Sequence, residues 1–373
     1  MLRTHSRIVM LLIVLLSLGL VWAGCSRDDQ PVTPETPGAA VPIGDESSAA
    51  FRAAIGVQKM HTPALMAMPN VVGTAITMLE DGSPALMILT IEPMAKGALP
   101  KDLEGLPIVE EVSGIIRPMV DLPMSSDKAG NTAKQTPPIS MGTSGGWRYD
   151  LANGYCCGGT LGSLVTNGTT QYVLSNYHVF EADIVAGGNS RVATTGDFVI
   201  QPGLIDVACN AATAQNVGTL VVRKSLPNNN VDCSIAQVIT GMVRTDGAIL
   251  GIGTISKTPI AATVGMAVKK AGRTTGLTTS TISGLNATIS VAYENECAGG
   301  AAFTKTFTGQ IVIKNSRSKF LAGGDSGSLM VQNIATNPKP VGLLFAGSTT
   351  TAIANPISSV LSFLGTGWTM VGI

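Results

Sequence analysis

Gly324-Asp325-Ser326-Gly327-Ser328 is the stretch of this 373-residue chain that is most informative about its fold and its chemistry. A tight turn is expected here, because glycine accepts backbone conformations that other residues avoid. Such a turn would direct the amide N–H groups of Gly324 and Ser326 at one point. Two donors placed in this way stabilise the oxyanion of an acyl-transfer intermediate by roughly 3 kcal/mol each. The stretch therefore predicts a nucleophilic serine, Ser326, beside an oxyanion hole.

A serine nucleophile needs a neighbouring base, and histidine is a common one. The chain has only three histidines. His5 lies in the segment that we interpret below as a signal peptide, and His61 lies in the N-terminal region. His178 remains as the natural partner of Ser326. A structural histidine in the core is the alternative interpretation, and the scarcity of histidine favours the base.

The imidazole of such a base needs an orienting carboxylate, for which we select Asp232. An apolar stretch begins directly after Asp232, as expected at the start of a buried strand. Three other aspartates in the same half of the chain stay open as alternatives: Asp183, Asp197 and Asp206. Asp325 is interpreted as a structural turn residue and not as a second acid.

The composition is typical of short strands joined by glycine turns. Charged residues make up 13% of the chain and aromatic residues 4%, and there are 43 glycines. The formal net charge is +0, so neither nucleic acid nor an acidic partner is expected. With three histidines and no C-x-x-C pair, we expect no metal site and no cofactor.

The first 24 residues have the layout of a secretory signal peptide. Basic residues precede an apolar run over 8–23 that is short for a membrane span. Ala23-Gly24-Cys25 resembles a bacterial lipobox, in which Cys25 would carry lipid and become the mature N-terminus. Ordinary signal-peptidase cleavage is the alternative. We therefore expect export, either as an outer-membrane or cell-surface lipoprotein that meets the membrane only through its anchor, or as a periplasmic or secreted protein.

Five of the six cysteines follow the lipobox, and an oxidising compartment permits disulfide bonds between them. We expect one bond between Cys209 and Cys233. A second is expected between Cys297 and one of the adjacent pair Cys156 and Cys157. One thiol is then left over, because five is an odd number.

The region before residue 138 is predicted to hold a tether, a small domain and a linker. Residues 25–46 are polar and proline-rich, as in a tether. Residues 47–120 are predicted to form a small α+β domain, with a helix that Ser47 and Ser48 can cap and that runs to about Met60. Its three strands are expected over 71–79, 85–91 and 108–116. Residues 121–137 are interpreted as a linker, and since it contains no obvious processing sequence we favour a retained domain over a removable pro-region.

From residue 138 to the C-terminus, short predicted strands are separated by glycine. Many short strands at regular spacing predict a β-sandwich or a β-barrel. Asn355-Pro356 predicts the start of a short C-terminal helix, with Asn355 as its cap. We therefore interpret residues 138–373 as one all-β domain.

Three motifs in this domain together resemble those of trypsin-like, chymotrypsin-fold serine peptidases. They are Tyr172–Val179 with His178, Val231–Ala236 with Asp232, and Gly324–Gly327 with Ser326. Their order, His then Asp then Ser, is the order of that family, whereas other serine hydrolase folds use different orders. The segment 157–163 also resembles the strand that precedes the histidine in this family, and the segments 271–276 and 354–357 are similar to its bacterial extracellular members. The resemblance implies a double six-stranded β-barrel catalytic domain over 138–373, preceded by the small α+β domain.

The resemblance also implies a role for each residue. Ser326 would attack the scissile carbonyl, His178 would carry the proton to the leaving amine, and Asp232 would orient the imidazole. Gly324 and Ser326 would form the oxyanion hole. The predicted substrate-binding residues are Phe320, Phe345, Ala346 and Gly347. None of them is acidic, so cleavage after lysine or arginine is not expected, and substrate would pair with the 345–347 edge as an added strand.

The function that follows is an exported serine endopeptidase acting on a protein or peptide substrate. One alternative is an inactive relative that keeps the fold as a peptide-binding or scaffold lipoprotein. An esterase with the same three residues is a second alternative, which the order of the motifs disfavours. Turnover of peptide and ester substrates would separate these functions.

Overall fold

The computed structural model describes residues 44–119, 131–152, 155–181, 192–293 and 303–373. All of them belong to one compact unit, which begins at residue 41. The predicted signal peptide, Cys25 and nearly all of the tether lie outside the described residues. Within those residues, no helix combines the length and the apolar character needed to cross a membrane.

The described chain is mostly β-structure with three α-helices. The helices are α1 (Ala49–Met66), α2 (Tyr177–Phe180) and α3 (Ile357–Leu364). The strands before residue 140 are β1 (Val71–Met78), β2 (Pro84–Thr90), β3 (Asp102–Leu103), β4 (Leu106–Val112) and β5 (Arg117–Pro118). The strands between residues 140 and 255 are β6 (Thr143–Trp147), β7 (Leu151–Ala152), β8 (Tyr155–Cys156), β9 (Gly159–Leu161), β10 (Ser163–Asn167), β11 (Thr170–Ser175), β12 (Phe198–Gln201), β13 (Gln215–Val221), β14 (Ser234–Val238), β15 (Ala248–Ile249) and β16 (Gly253–Thr254). The remaining strands are β17 (Ala267–Gly272), β18 (Gly276–Tyr293), β19 (Phe303–Lys314), β20 (Leu329–Gln332), β21 (Pro340–Gly347), β22 (Thr351–Pro356) and β23 (Trp368–Met370).

The first barrel is closed by one bent strand. Its strands pair in the order β10-β11-β14-β13-β12-β6-β9, and only Gly162 separates β9 from β10 along the chain. A side chain at Gly162 would overlap the carbonyl oxygen of Gly327, so glycine is required where this bend meets the serine turn. Six strands, counting β9 and β10 as one, therefore enclose the apolar core that contains Leu164, Val173 and Ile235.

The second barrel consists of six strands in the order β17-β20-β21-β22-β19-β18. It closes because β17 also pairs with the first part of β18, from Thr281 to Gly276. Two closed six-stranded barrels confirm the predicted all-β double-barrel class.

The N-terminal segment is built onto the second barrel. β1 pairs with the later part of β18, with Gly73 opposite Ile289 and Ile76 opposite Leu285. β2 pairs antiparallel with β1 and parallel with β4, which continues the same sheet. The division into separate domains at 47–120 and 138–373 stays a prediction, but the two regions share one hydrogen-bonded sheet.

Helix α1 is capped by Ser48, one of the two predicted cap residues, and ends at Met66, beyond the expected end near Met60. The Ser48 hydroxyl accepts a hydrogen bond from the Phe51 amide at 3.1 Å. The helix runs to Met66 because Leu65 adds a further buried apolar contact. Gln58 is also buried: its Nε2 donates to the Asn286 carbonyl oxygen in β18 at 2.9 Å, and its Oε1 accepts from Nδ2 of Asn286 at 2.9 Å.

The disulfide expected between Cys209 and Cys233 is wrong. Cys209 is bonded to Cys156, and Cys233 is a buried free thiol. The reason is that Cys233 leads into β14 inside the first barrel, where its amide donates to the Ser225 hydroxyl. Cys157 is also disulfide-bonded, and its expected partner Cys297 lies outside the described residues.

Candidate active site

Strand pairing in the first barrel brings His178 and Asp232 together. His178 lies in α2, the single helical turn that follows β11, and Asp232 lies just before β14. Because β11 and β14 pair with Ser175 opposite Ser234, the residues that flank these positions meet at the same end of the barrel. Asn176 secures the junction, since its side-chain amide donates to the Asp232 carbonyl at 2.6 Å.

The Asp232 carboxylate is fully buried and accepts several hydrogen bonds. Nδ1 of His178 lies 2.6 Å from Oδ2, and the Tyr177 amide donates to Oδ1 at 2.7 Å. The Asp232 amide donates in turn to Oδ1 of Asn355 at 2.9 Å. A buried carboxylate is costly unless such donors surround it, so the site holds this side chain in one orientation.

Two of the alternative aspartates are engaged elsewhere, and the third lies outside the described residues. Oδ2 of Asp206 accepts from Nε of Arg273 at 2.7 Å, and Oδ2 of Asp197 accepts from the Trp147 indole at 3.1 Å. Asp183 is not among the described residues. Of the four aspartates considered, Asp232 is therefore the one that the structure places against His178.

Tyr293 is a residue of this site that sequence reasoning missed. Its hydroxyl donates to Oδ2 of Asp232 at 2.9 Å. Burial, reinforced by the negative charge of Asp232, raises the pKa of Tyr293 well above its ordinary value, so the phenol stays protonated and donates. Phe345 belongs to the same buried apolar cluster as Tyr293, and its ring packs against Phe307 with the ring centroids 4.8 Å apart.

The serine turn is held by Asp325 beneath it. Gly324 and Gly327 have φ angles of 85° and 92°, which a residue with a side chain rarely adopts. Oδ1 of Asp325 accepts from the Thr274 amide at 2.9 Å, and Nζ of Lys270 lies 3.0 Å from Oδ2. Burial lowers the pKa of Lys270, and the Asp325 carboxylate opposes that shift. Asp325 thus has structural contacts, in keeping with a turn residue.

Ser326 is fully buried, close to the helix that carries His178. A Cβ added to Gly159 would lie 2.7 Å from Cγ2 of Val179 and 3.0 Å from the Ser326 carbonyl oxygen. The Ser326 hydroxyl donates to the Phe345 carbonyl at 3.1 Å and accepts from the Met119 amide at 3.2 Å. Nε2 of His178 is buried and has no hydrogen-bond partner within the described ranges.

The predicted substrate-binding residues divide into two groups. Ala346 and Gly347 lie on β21 and pair with β5, and Phe345 contributes its carbonyl oxygen. Phe320 is buried in the core of the second barrel, against which Met119 also packs. Met119 is a second residue that sequence reasoning missed, because it comes from the far N-terminal segment.

Within the part of the chain that the structure describes, no group of three or more His, Cys, Asp or Glu side chains is placed to hold a metal ion.

Residues 225–355, about a third of the chain, match the family described as the Nal1 C-terminal domain. Among solved structures, a glutamic-acid-specific serine protease is 19% identical, with a TM-score of 0.41 over 62% of this chain and 100% of that chain. Thermobifida fusca protease A is 19% identical (TM-score 0.40, 63% of this chain, 99% of that chain), and Cellulomonas bogoriensis chymotrypsin is 20% identical (TM-score 0.38, 63% and 99%). The search of curated proteins found no match.

Proposed function

We propose that the protein is an exported serine endopeptidase that hydrolyses peptide bonds through an acyl-enzyme intermediate. The observation that carries the proposal is the 2.6 Å contact between Nδ1 of His178 and Oδ2 of Asp232, whose side chains are both buried. With Nδ1 bonded to the carboxylate, the lone pair of Nε2 is free to accept a proton.

In the proposed reaction, Oγ of Ser326 attacks the scissile carbonyl carbon while Nε2 of His178 takes the hydroxyl proton. The amide N–H of Gly324 stabilises the resulting oxyanion. The imidazolium, held by Asp232, then gives its proton to the leaving amine. Water, activated by the same imidazole, releases the acyl group and restores Ser326. Asp232 and Tyr293 act by positioning and by stabilising the imidazolium.

The proposed substrate is a protein or peptide bound as an extended strand. The 346–347 edge of β21 offers backbone groups for such pairing, and strand addition is a general mode of peptide recognition. No acidic residue occurs among the predicted pocket residues, so an uncharged residue before the scissile bond is preferred.

The inactive, peptide-binding alternative has one observation in its favour. The Ser326 hydroxyl is hydrogen-bonded to Phe345 and Met119 and not to His178. If the protein is an active peptidase, the Ser326 hydroxyl exchanges these hydrogen bonds for one to His178 when the segment that contains Met119 moves away from the serine turn.

Turnover assays decide between these functions. Wild type, Ser326→Ala and His178→Ala, each freed of the segment that contains Met119, are compared on peptide and ester substrates with an uncharged residue before the cleaved bond. The endopeptidase proposal predicts peptide hydrolysis by wild type alone. Peptide binding without hydrolysis by wild type would support the inactive alternative, and hydrolysis of esters alone would support an esterase.

Export and lipidation are proposed on the signal peptide over 1–24 and on Cys25. Fractionation of cells that express wild type and Cys25→Ala tests them. We expect wild type in the membrane fraction and the variant in the soluble exported fraction. Equal distribution of the two proteins would exclude a lipid anchor at Cys25.

A further inference from the structure

The edge of β21 beside the serine turn, at Ala346 and Gly347, is occupied by a strand of the protein's own N-terminal segment. Strand β5 pairs antiparallel with β21, with Pro118 opposite Ala346 and Arg117 opposite Gly347. This is the edge on which an extended peptide substrate would be added as a strand. The residue that follows β5, Met119, therefore arrives at the serine turn.

The backbone of Met119 makes the contacts of a bound substrate residue. Its amide donates to the Phe345 carbonyl at 3.3 Å and lies 3.2 Å from Oγ of Ser326. Its carbonyl oxygen accepts from the Gly324 amide at 2.6 Å. The Gly324 amide is the donor expected to stabilise an oxyanion, so the Met119 carbonyl lies where a scissile carbonyl is polarised.

The side chain of Met119 is directed along the same wall of the cleft. A Cβ added to Gly347 would lie 2.8 Å from Cε of Met119, so the glycine leaves the space that the methionine uses. Met119 also packs against the apolar cluster that contains Phe320 and Leu321. An unbranched thioether fits an uncharged pocket of this kind.

The chain before Met119 is fixed to the second barrel, which holds it in register. Ile116 is fully buried, and its carbonyl accepts from the Ala292 amide at 2.9 Å. The Val112 carbonyl accepts from the Thr350 hydroxyl at 3.2 Å. Because β1 and β2 extend the same sheet, the whole N-terminal segment presents Met119 to the serine.

We propose that the protein cleaves its own chain after Met119, an inference that rests on the proposed endopeptidase function. Oγ of Ser326 bonds to the Met119 carbonyl carbon, and the bond from that carbon to the nitrogen of Val120 breaks. The Ser326 proton passes through His178 to this nitrogen, which becomes the new N-terminus. Water then hydrolyses the ester and leaves the Met119 carboxylate as product.

Cleavage would not by itself open the cleft. The product carboxylate keeps its hydrogen bond to the Gly324 amide, and β5 keeps its pairing with β21. The N-terminal segment is therefore both the first substrate and an inhibitor that must leave before other peptides bind. This differs from the retained domain expected from the linker sequence, since the proposed site lies just before the linker.

The test follows the full chain by intact mass and N-terminal sequencing. Wild type is expected to yield a fragment that begins at Val120, at a rate that does not change on dilution, and Ser326→Ala is expected to stay intact. Met119→Asp should slow cleavage by about 100-fold or more, because a charge enters an uncharged pocket. Met119→Leu should still be cleaved. Met60→Asp, at a methionine that is 65% exposed on α1, is the matched control and should be cleaved like wild type.

A second measurement separates failure of this inference from failure of the proposed function. A recognition sequence for a specific protease, inserted between Ser125 and Ser126, permits the linker to be cut in wild type and in Met119→Asp. Because the cut segment would stay paired with β21, it is then removed with a mild denaturant and size-exclusion chromatography, which gives the released protein. If wild type does not cleave itself, or cleaves elsewhere, but Ser326 reacts with a fluorophosphonate after release, self-cleavage after Met119 is wrong and the endopeptidase proposal stands. If neither released protein reacts, both proposals are wrong.

Discussion

Replacing Tyr293 by phenylalanine removes one hydroxyl from the candidate site and leaves its packing in place. That hydroxyl donates to Oδ2 of Asp232 at 2.9 Å, and both side chains are fully buried. A hydrogen bond to a charged group contributes roughly 1.5–3 kcal/mol. If the bond orients the carboxylate that holds His178, its loss reduces the rate of acylation by about 10- to 100-fold.

The assay is the rate of fluorophosphonate labelling and the kcat of peptide hydrolysis, measured on protein from which the N-terminal segment has been released. Tyr172→Phe is the matched control, because Tyr172 is an aromatic residue of the first barrel that packs against Trp368 at 4.8 Å. We expect kcat to fall in Tyr293→Phe with KM nearly unchanged, since the hydroxyl does not contact substrate. A Tyr293→Phe enzyme as fast as the Tyr172→Phe control would refute the positioning role.

Three further predictions concern the acid, the N-terminal segment and pH. Asp232→Asn should lower kcat by roughly ten-thousand-fold, because the amide favours the wrong imidazole tautomer. Gln58→Ala should lower the free energy of unfolding by about 1–3 kcal/mol, since it removes a buried amide and leaves the half-buried amide of Asn286 without its partner. Burial raises the pKa of Glu181 in the folded protein, although three hydrogen bonds to its carboxylate oppose the shift. The stability that the protonated side chain contributes is therefore present below the pKa of Glu181 in the unfolded chain. It is lost as the pH rises through the pKa of Glu181 in the folded protein. Glu181→Gln should therefore lose less stability than wild type between about pH 4 and pH 7.

The measurements for these predictions are peptide turnover for Asp232→Asn and urea denaturation for the other two variants. Retention of more than about a tenth of wild-type kcat by Asp232→Asn would contradict its role. An unchanged urea midpoint in Gln58→Ala would show that the amide pair adds nothing to stability. Parallel pH profiles of Glu181→Gln and wild type would exclude a titration of Glu181 in this range.

The all-β class was predictable because its signal is local. Short strands separated by glycine recur from residue 138 onward, and most of them can be recognised without their partners. The double barrel itself was expected from the resemblance of the three motifs, since a sandwich has the same local pattern. The attachment of β1 to β18 could not be predicted in this way, since no local pattern specifies which edge a strand will join. The linker composition over 121–137 therefore suggested a separate domain where the structure has a continuous sheet.

Within the candidate site, the sequence could predict only residues of a scarce type or residues that lie in a recognisable motif. His178 could be selected because histidine is scarce, and Ser326 because glycines surround it. Tyr293 lies 61 residues from Asp232 in sequence, and a tyrosine in a strand usually signals core packing. Met119 lies 207 residues from Ser326, and nothing near it marks a partner.

The most direct test of the central claim is the mass of the protein after reaction with a fluorophosphonate, once the N-terminal segment has been released. The account predicts a single adduct, mapped to Ser326, that is absent from Ser326→Ala and strongly reduced in His178→Ala. An unmodified Ser326 in folded protein would contradict the claim that His178 and Asp232 activate it.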